Sequence, residues 1–375
     1  MKLIIQPEDG VKPLIDGIDR AKKSVEIAIF RFDRKEVERA LENAVRRGVF
    51  VHALIADTNR SGEKNLRKLE MRLLAKGMTV ARTSNDLVRY HGKMMVIDRS
   101  ELFVLAFNFT RLDIDHSRSF GIVTRNRQLV QEGIKLFESD TKRQPYTPRH
   151  NRFLVSPLNA REELSKFLRG AKQELLIYDS KVSDMAMIRI LEQRAKAGVA
   201  IRIIGHVPSR SRMLAVGKLP HIRLHTRTIV RDRKQVFIGS QSLRELELDA
   251  RREVGVILRD SKVVSTIARV FGTDWNAIET SAGVPAREDA TMVVAKAAAK
   301  AAEAITRDLP SVAPVVEKVV QQVVGDGSNV ELDHAEVEAS VKDAVEHAVR
   351  TTVKEMVEEA AEQNGPAEFE MRVPE

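Results

Sequence analysis

Residues 91–98 read HGKMMVID and residues 225–232 read HTRTIVRD, so one arrangement of histidine, cation and aspartate occurs twice in this sequence. In each copy the cation stands two positions after the histidine, and the aspartate follows after four intervening residues. Because alternate residues of a strand point to the same face, each histidine is expected to lie beside its cation. The two copies predict a duplicated fold in which equivalent polar groups come together.

The duplication extends well beyond these two stretches. Residues 3–7 (LIIQP) match residues 153–157 (FLVSP) at an offset of 150. The offset between the two histidine motifs is only 134, so the second copy lacks 16 residues between Gly198 and His225. The sequence therefore contains two similar halves of unequal length.

Each half alternates short apolar strands with an amphipathic helix that ends at a glycine. The predicted strands 24–30 and 50–55 flank a helix at 34–47, and strands 174–178 and 200–204 flank a helix at 185–197. This alternation predicts an α/β fold with two similar sandwich halves related by a pseudo-twofold axis. We expect the halves to span residues 1–147 and 148–280, and residues 281–375 to form an acidic, largely helical C-terminal extension.

The extension differs from the halves in charge and in pattern. It carries 9 basic and 19 acidic residues, a net charge of −10, and since the whole chain carries +9, residues 1–280 carry +19. Valines recur every four residues from Val337 to Val357 and give its last helix one apolar side. We expect this helix to dock on the body of the protein or to mediate self-association, with a free, partly disordered acidic tail as the alternative.

Composition narrows the classes of function. The chain has no cysteine, which excludes disulfides, thiolate nucleophiles and cysteine zinc sites. No apolar run is long enough to span a membrane and no signal peptide is recognisable, so we expect a cytoplasmic protein. The basic body favours polyanionic partners, either phosphodiester backbones or anionic lipid head groups.

Further polar residues recur in step with the histidines. Asn108 and Ser242 each follow their motif histidine by seventeen residues, and Ser119 and Glu253 occupy equivalent places eleven residues later. With these residues the chain resembles the phospholipase D superfamily, which is marked by a duplicated H-x-K-x4-D followed by G-[GS]-x-N. Within that superfamily it is most similar to the bacterial phospholipase D and cardiolipin-synthase-like branch.

The resemblance implies a role for each motif residue. His91 would be the nucleophile that forms a phosphohistidine, and His225 the general acid and later the general base. The implied phosphate ligands are Lys93, Arg227, Asn108 and Ser242. Asp98 and Asp232 would support the motif strands rather than touch substrate, and no metal or other cofactor is implied.

The chemistry of a phosphodiester accounts for these residue types. Its negative charge repels anionic nucleophiles, whereas a neutral imidazole attacks phosphorus without that repulsion. A second, protonated imidazole suits proton donation to the leaving alkoxide, because its ordinary pKa lies near 6.5. Cations and amides then stabilise the charge that develops on the non-bridging oxygens.

Two phosphate-binding positions depart from the family pattern. Arg227 replaces a lysine, which keeps the charge but exchanges a compact ammonium for a planar fork. Ser242 replaces an asparagine, and in the first half Leu105-Ala106 replaces the Gly-Ser pair that precedes the asparagine.

The orienting carboxylate of the family is present in only one half. Within its own half Glu253 would support His225, which leaves His91 with Ser119 as a weaker substitute. The roles of the two histidines could then be exchanged. We favour His91 as the nucleophile because its lysine and Asn108 are intact.

The leading hypothesis is a metal-independent phosphodiesterase that hydrolyses or transfers phospholipid head groups, with peripheral association to anionic membranes. The excess of positive charge favours a second candidate, an EDTA-resistant nuclease of the same superfamily. The substitutions at Arg227, Ser242 and Ser119 favour a third, an inactive module that binds polyanions.

Overall fold

Two large β-sheets, one from each half of the chain, organise this computed structural model, which describes residues 1–57, 63–208 and 214–282. The elements of the first half are β1 (Lys2–Gln6), α1 (Lys12–Asp19), β2 (Ser24–Ile29), α2 (Lys35–Arg46), β3 (Phe50–Ile55), α3 (Glu63–Ala75), β4 (Thr79–Arg82), β5 (Arg89–Tyr90), β6 (Met94–Ile97), β7 (Glu101–Leu105), α4 (Arg111–Asp115), β8 (Ser117–Thr124) and α5 (Arg127–Lys142). Those of the second half are β9 (Phe153–Val155), α6 (Ala160–Arg169), β10 (Glu174–Asp179), α7 (Met185–Lys196), β11 (Ala200–Gly205), β12 (Ala215–Gly217), β13 (Arg223–Leu224), β14 (Arg227–Arg231), β15 (Gln235–Gly239), α8 (Glu245–Asp249), β16 (Arg251–Arg252), β17 (Val254–Leu258) and α9 (Ser261–Ala282).

The two sheets have matching strand orders. The first runs β1-β8-β7-β6-β2-β3-β4, and the second runs β9-β17-β15-β14-β10-β11-β12. Strands β2, β3 and β4 are parallel, as are β10, β11 and β12, while the motif strands β6 and β14 are antiparallel to their neighbours. The predicted α/β class with two similar halves is confirmed.

The unequal length of the halves has a structural counterpart. In the first half α3 connects β3 to β4. In the described part of the second half no helix lies between β11 and β12. The 16 residues that the second copy lacks thus correspond closely to α3.

Local sequence explains the helix that follows the second strand of each half. Helix α2 buries Val37, Leu41 and Ala44 at helical spacing against the sheet. The chain then reverses at Gly48, whose φ of +82° suits a residue without a side chain. Gly198 has a φ of +87° in the same place after α7.

The halves also exchange short strands. Strand β13 of the second half pairs in parallel with β8 of the first, with Arg223 opposite Ser117. Strand β5 of the first half pairs in parallel with β16 of the second, with Arg89 opposite Arg251. Arg223 is the repeat equivalent of Arg89, and Arg251 is that of Ser117, both at an offset of 134 residues. The two halves therefore contact each other reciprocally, as a twofold relation requires.

One hydrophobic core is shared by both halves. It contains β8, α5, β17 and α9, with Phe120, Phe137, Val256 and Phe271 among its buried side chains. Two further clusters, one in each half, lie beneath the remaining helices. The boundary that we predicted at residue 147 lies between α5 and β9. The extension that we predicted at residues 281–375 overlaps the last two residues of α9, and its remainder from residue 283 onward, with the valine-lined helix, lies outside the described residues. Within the described ranges, no helix is both long and apolar enough to cross a membrane.

Candidate active site

Each motif histidine is held against a strand of the opposite half. His91 follows β5, and its backbone N–H donates to the carbonyl of Arg252 at 2.7 Å. His225 follows β13, and its N–H donates to the carbonyl of Arg118 at 3.1 Å. Since Arg118 and Arg252 are repeat equivalents, the fold places both histidines at the seam between the halves.

Lys93 contacts the ring of His91, and the charges of both motif cations act on both histidines. Lys93 is fully buried, with its Nζ 2.8 Å from Nε2 and 2.9 Å from Nδ1 of His91. Burial, followed by the charges of Lys93 and Arg227, holds the pKa of His91 well below its ordinary value. Burial and the same two cations also lower the pKa of His225. Since Lys93 and Arg227 act electrostatically on both rings, the four side chains form one site.

An aromatic side chain contributes to the burial of His91. Phe30, directly after β2, meets the imidazole edge-on with 4.5 Å between ring centroids. The Nζ of Lys93 lies 5.8 Å from the Phe30 centroid, within the range of a cation–π contact. The sequence analysis did not identify Phe30, which is the last residue of an ordinary apolar run.

The carboxylate of Glu253 contacts His91, whereas we expected it to contact His225. Both of its oxygens lie 2.9 Å from Nδ1 of His91, whereas we had assigned it to His225 of its own half. The strand exchange explains this correction. Strand β5 pairs in parallel with β16, with Tyr90 opposite Arg252, so the next residues along the chain, His91 and Glu253, come together. Ser119 is likewise beside His225, but its hydroxyl donates to the His225 carbonyl at 2.7 Å and not to the ring.

A second carboxylate, Asp113 in α4, lies beside His225. Its Oδ2 is 3.2 Å from Nδ1 of His225, without the alignment of a hydrogen bond. The same oxygen accepts from the backbone N–H and the side-chain amide of Asn108, at 2.8 and 2.6 Å. Burial alone would raise the pKa of Asp113, but the charges of His225 and Arg223 hold it well below its ordinary value.

Sequence reasoning missed Asp113, although a signal was available. Asp113 and Glu247 are separated by the repeat offset of 134, so a carboxylate recurs at this position. Glu247 accepts the backbone N–H of Ser242 at 2.8 Å, as Asp113 accepts that of Asn108. Its Oε2 lies 3.9 Å from Nε of Arg227.

Donors suited to an anion converge on the site. Arg227 is buried, and among the described residues its Nε and Nη1 have no hydrogen-bond partner. Burial lowers the pKa of Lys93 to about 7, so its ammonium form is only weakly favoured at neutral pH. Buried cations carry a large desolvation cost, which neighbouring carboxylates such as Glu247 reduce and a bound anion would reduce further.

Ser242, a predicted phosphate ligand, has its hydroxyl directed at protein acceptors, Asp179 and the carbonyl of Lys181. Its hydroxyl donates its only proton to Asp179, which also accepts the backbone N–H of Leu243 at 2.7 Å. The repeat equivalent of Asp179 in the first half is Ile29, so comparison of the two halves does not predict this acceptor. Asn108 differs, because only one of its two amide protons is used on Asp113.

The motif aspartates lie at the far ends of the motif strands. Asp98 accepts the backbone N–H groups of Lys22, Lys23 and Ser24 at 2.6 to 3.0 Å. Asp232 accepts those of Lys172, Gln173 and Glu174 at 2.7 to 3.1 Å. Both carboxylates thus bind the loops that precede β2 and β10. Across the ranges that the structure describes, no group of three or more histidine and carboxylate side chains is arranged to hold a metal ion.

Solved structures with similar folds include two that cover most of this chain. Polyphosphate kinase from Porphyromonas gingivalis is 21% identical with a TM-score of 0.61, and the match covers 73% of this chain and 50% of that one. Phosphatidylserine synthase from Haemophilus influenzae is 10% identical with a TM-score of 0.57, covering 74% and 85%. This chain therefore spans about half the length of the polyphosphate kinase that it matches.

A smaller structure matches less of the chain. Nuc, a phospholipase D family member from Salmonella typhimurium, is 22% identical with a TM-score of 0.35, and the match covers 40% of this chain and 97% of that one. Among curated proteins none matches the chain significantly.

The family comparison covers both halves. The model described as "Cardiolipin synthase, PLD-like domain" matches residues 14–141 and 164–275, well over half of the chain. The resemblance to the phospholipase D superfamily is thereby confirmed. This duplicated chain belongs to the family of PLD-like domains typified by cardiolipin synthase.

Proposed function

We propose that this protein is a metal-independent phosphodiesterase that transfers phospholipid head groups through a phosphohistidine on His91. The observation that carries the proposal is the contact between Glu253 and Nδ1 of His91, at 2.9 Å for both carboxylate oxygens. A carboxylate on Nδ1 holds the proton there and leaves the lone pair on Nε2, where the Lys93 ammonium lies 2.8 Å away and would turn to the substrate phosphate before Nε2 attacks.

Glu253 thereby favours His91 over His225 as the nucleophile. The alternative assignment, in which His225 is the nucleophile, depended on a contact between Glu253 and His225 within the second half. A lowered pKa keeps the His91 imidazole neutral near pH 7, which is the form that attacks an anionic ester.

The reaction would proceed in two balanced steps. Nε2 of His91 attacks phosphorus, the bond to the leaving oxygen breaks, and protonated His225 gives that oxygen a proton. His225 then takes a proton from water or from an acceptor alcohol, whose oxygen attacks phosphorus as the P–N bond breaks. His91 and His225 both end the cycle in their starting protonation states.

The cations would stabilise the negative charge that develops on the non-bridging oxygens. Among the described residues Nε and Nη1 of Arg227 have no hydrogen-bond partner and could donate to phosphate, and Lys93 offers an ammonium beside His91. Asn108 has one amide proton to spare. The bound phosphate would in turn favour the protonated forms of Lys93 and His225, whose pKa values are lowered in the ligand-free site.

The match to the cardiolipin synthase domain family supports a phospholipid substrate. A nucleic-acid phosphodiester would also suit the positively charged body, and this alternative is separated by experiment. The test compares wild type, His91→Ala and His225→Ala in the presence of EDTA. It measures head-group release from phosphatidylglycerol and phosphatidylcholine vesicles, and cleavage of single- and double-stranded DNA.

We expect release or exchange of lipid head groups that survives EDTA and is lost in both variants. The matched control is His221→Ala, an exposed histidine four residues from His225, which should retain wild-type activity. DNA cleavage with the same dependence on both histidines would replace lipid by nucleic acid as the substrate. Equal activity in wild type and His91→Ala, or no reaction with any diester, would refute the proposed function.

A further inference from the structure

We propose that Asp113 is the positioning residue of His225, taking the place of the carboxylate that the first half lacks at Ser119. The proposal rests on the proposed function, since it gives His225 the role of proton donor and acceptor. It concerns a residue that lies outside both histidine motifs.

The argument starts from the unequal support of the two rings. Glu253 reaches Nδ1 of His91, but its repeat equivalent Ser119 uses its hydroxyl on the backbone of His225. The Nδ1 of His225 is therefore buried without a hydrogen bond to any residue that the structure describes. The carboxylate oxygen Oδ2 of Asp113 lies 3.2 Å away.

The Asp113 carboxylate is itself firmly held. Arg223 donates to its Oδ1 at 2.7 Å and to the hydroxyl of Ser117 at 2.9 Å. Asn108 donates twice to Oδ2, the oxygen that faces His225. With only 3% of its surface exposed, Asp113 has little freedom to turn away from the ring.

This arrangement links two functions in one carboxylate. Asp113 fixes the amide of Asn108, a proposed phosphate ligand, and stands behind the ring that would exchange protons with the substrate oxygen. Hydrogen bonds of this kind are often poorly aligned in a ligand-free site and tighten when substrate binds.

The charged groups that face His225 act in opposite directions. Burial lowers its pKa most, Asp113 raises it, and Arg227, Arg223 and Lys93 lower it. Asp113 is therefore the group expected to keep a proton on His225, and its removal should lower the pKa of His225 further.

The test is the tautomer and titration of His225 by nitrogen-15 NMR on the full chain, with resonances assigned from His225→Ala. In the wild type we expect neutral His225 to carry its proton on Nδ1. In Asp113→Asn the pKa of His225 should fall, and diester turnover at neutral pH should drop by about 10²-fold, the lower end of general acid–base contributions. The matched control is Glu247→Gln, the repeat equivalent, which should leave the His225 titration unchanged.

Two results would overturn the proposal. One is a wild-type His225 with its proton on Nε2, a measurement that needs no variant. The other is an Asp113→Asn protein that loses activity while His225 titrates as before, because this would mean that Asp113 acts through Asn108 or the fold and not through His225. Failure of the proposed function can be distinguished from failure of this proposal. A wild-type protein without turnover would still show the tautomer and the titration of His225.

Discussion

The two motif histidines have different neighbours although their motifs are copies of one another. His91 has a carboxylate on Nδ1 and an ammonium beside Nε2, whereas Nδ1 of His225 has an unaligned carboxylate and, within the described part of the chain, no hydrogen bond. A duplicated site thus provides two imidazoles with unlike surroundings. Unlike surroundings are what a reaction needs when one ring must stay neutral and the other must carry a proton.

Lys93 makes anion binding depend on pH. Burial lowers its pKa to about 7, and the ammonium is the form present below that value, so the site loses a positive charge as the pH rises through 7. Sulfate keeps a constant charge in this range, and its affinity, measured by calorimetry, should therefore fall above about pH 7. In Lys93→Arg, which copies the residue at the equivalent position 227, this fall should be absent because arginine stays charged. An unchanged fall in that variant would assign the titration to another group.

The motif strands are tied to the sheet by their last residue. Asp98 and Asp232 have φ values of +50° and +52°, and each accepts three backbone N–H groups from the loop before the neighbouring strand. These contacts fix the ends of β6 and β14 and hence the start of each strand, where the motif histidine and cation lie.

Removal of one such carboxylate should affect stability. Asp98→Ala leaves three N–H groups without an acceptor and places alanine at a positive φ, so we expect a loss of about 1–3 kcal/mol in the free energy of unfolding by urea denaturation. Asp98→Asn is the matched control, because asparagine tolerates this backbone region, and it should lose less. An Asp98→Ala protein of wild-type stability but without activity would indicate contact with substrate instead.

The seam between the halves carries two equivalent ion pairs. Arg118 donates to Asp274 at 2.9 Å, and Arg252 lies 3.2 Å from Asp140, each arginine reaching a helix of the other half. Tyr178 also donates to Asp274, at 2.7 Å. The pairs join β8 to α9 and β16 to α5 directly behind the histidines.

The two aspartates should respond differently to mutation. Asp274→Asn removes the carboxylate to which Arg118 and Tyr178 both donate, while Glu8 still pairs with Arg118 at 2.7 Å, so the free energy of unfolding should fall by about 1–3 kcal/mol. Burial raises the pKa of Asp140 from 3.8 to about 6, so folding disfavours its ionised form and the protein loses stability as the pH rises through this window. Asp140→Asn should remove that pH dependence and cost less at pH 7. Equal losses in the two variants, by urea denaturation at pH 5 and 7, would contradict this.

The shared core predicts that the two halves unfold together. The single tryptophan, Trp275 in α9, stacks on Phe271 with 5.9 Å between ring centroids and so reports on the second half and the shared core. Leu41→Ala creates a cavity in the outer core of the first half and should cost about 2–5 kcal/mol. The urea midpoint of Trp275 fluorescence should fall together with that of far-ultraviolet circular dichroism. An unchanged fluorescence midpoint would mean that the halves unfold independently.

Much of this architecture was predictable from the sequence, because a duplication constrains pattern and spacing together. The strand–helix alternation, the shorter second half and the meeting of His91, Lys93, His225 and Arg227 all follow from the repeat. The pairing of Glu253 with His91 does not, since the spacing within a half cannot reveal that β5 and β13 cross to the other half. The roles of Asp179 and Phe30 could not be predicted for another reason, because neither residue recurs in the opposite half.

The most direct test of the account is to trap the covalent intermediate. A diester with a nitrophenolate leaving group needs no proton donor for the first step, but its second step still needs His225 as a base. The His225→Ala protein should therefore release one equivalent of nitrophenolate and retain an acid-labile phosphoryl adduct, located on His91 by mass spectrometry. Steady turnover without an adduct on His91, or an adduct on His225 in wild-type protein, would contradict the account.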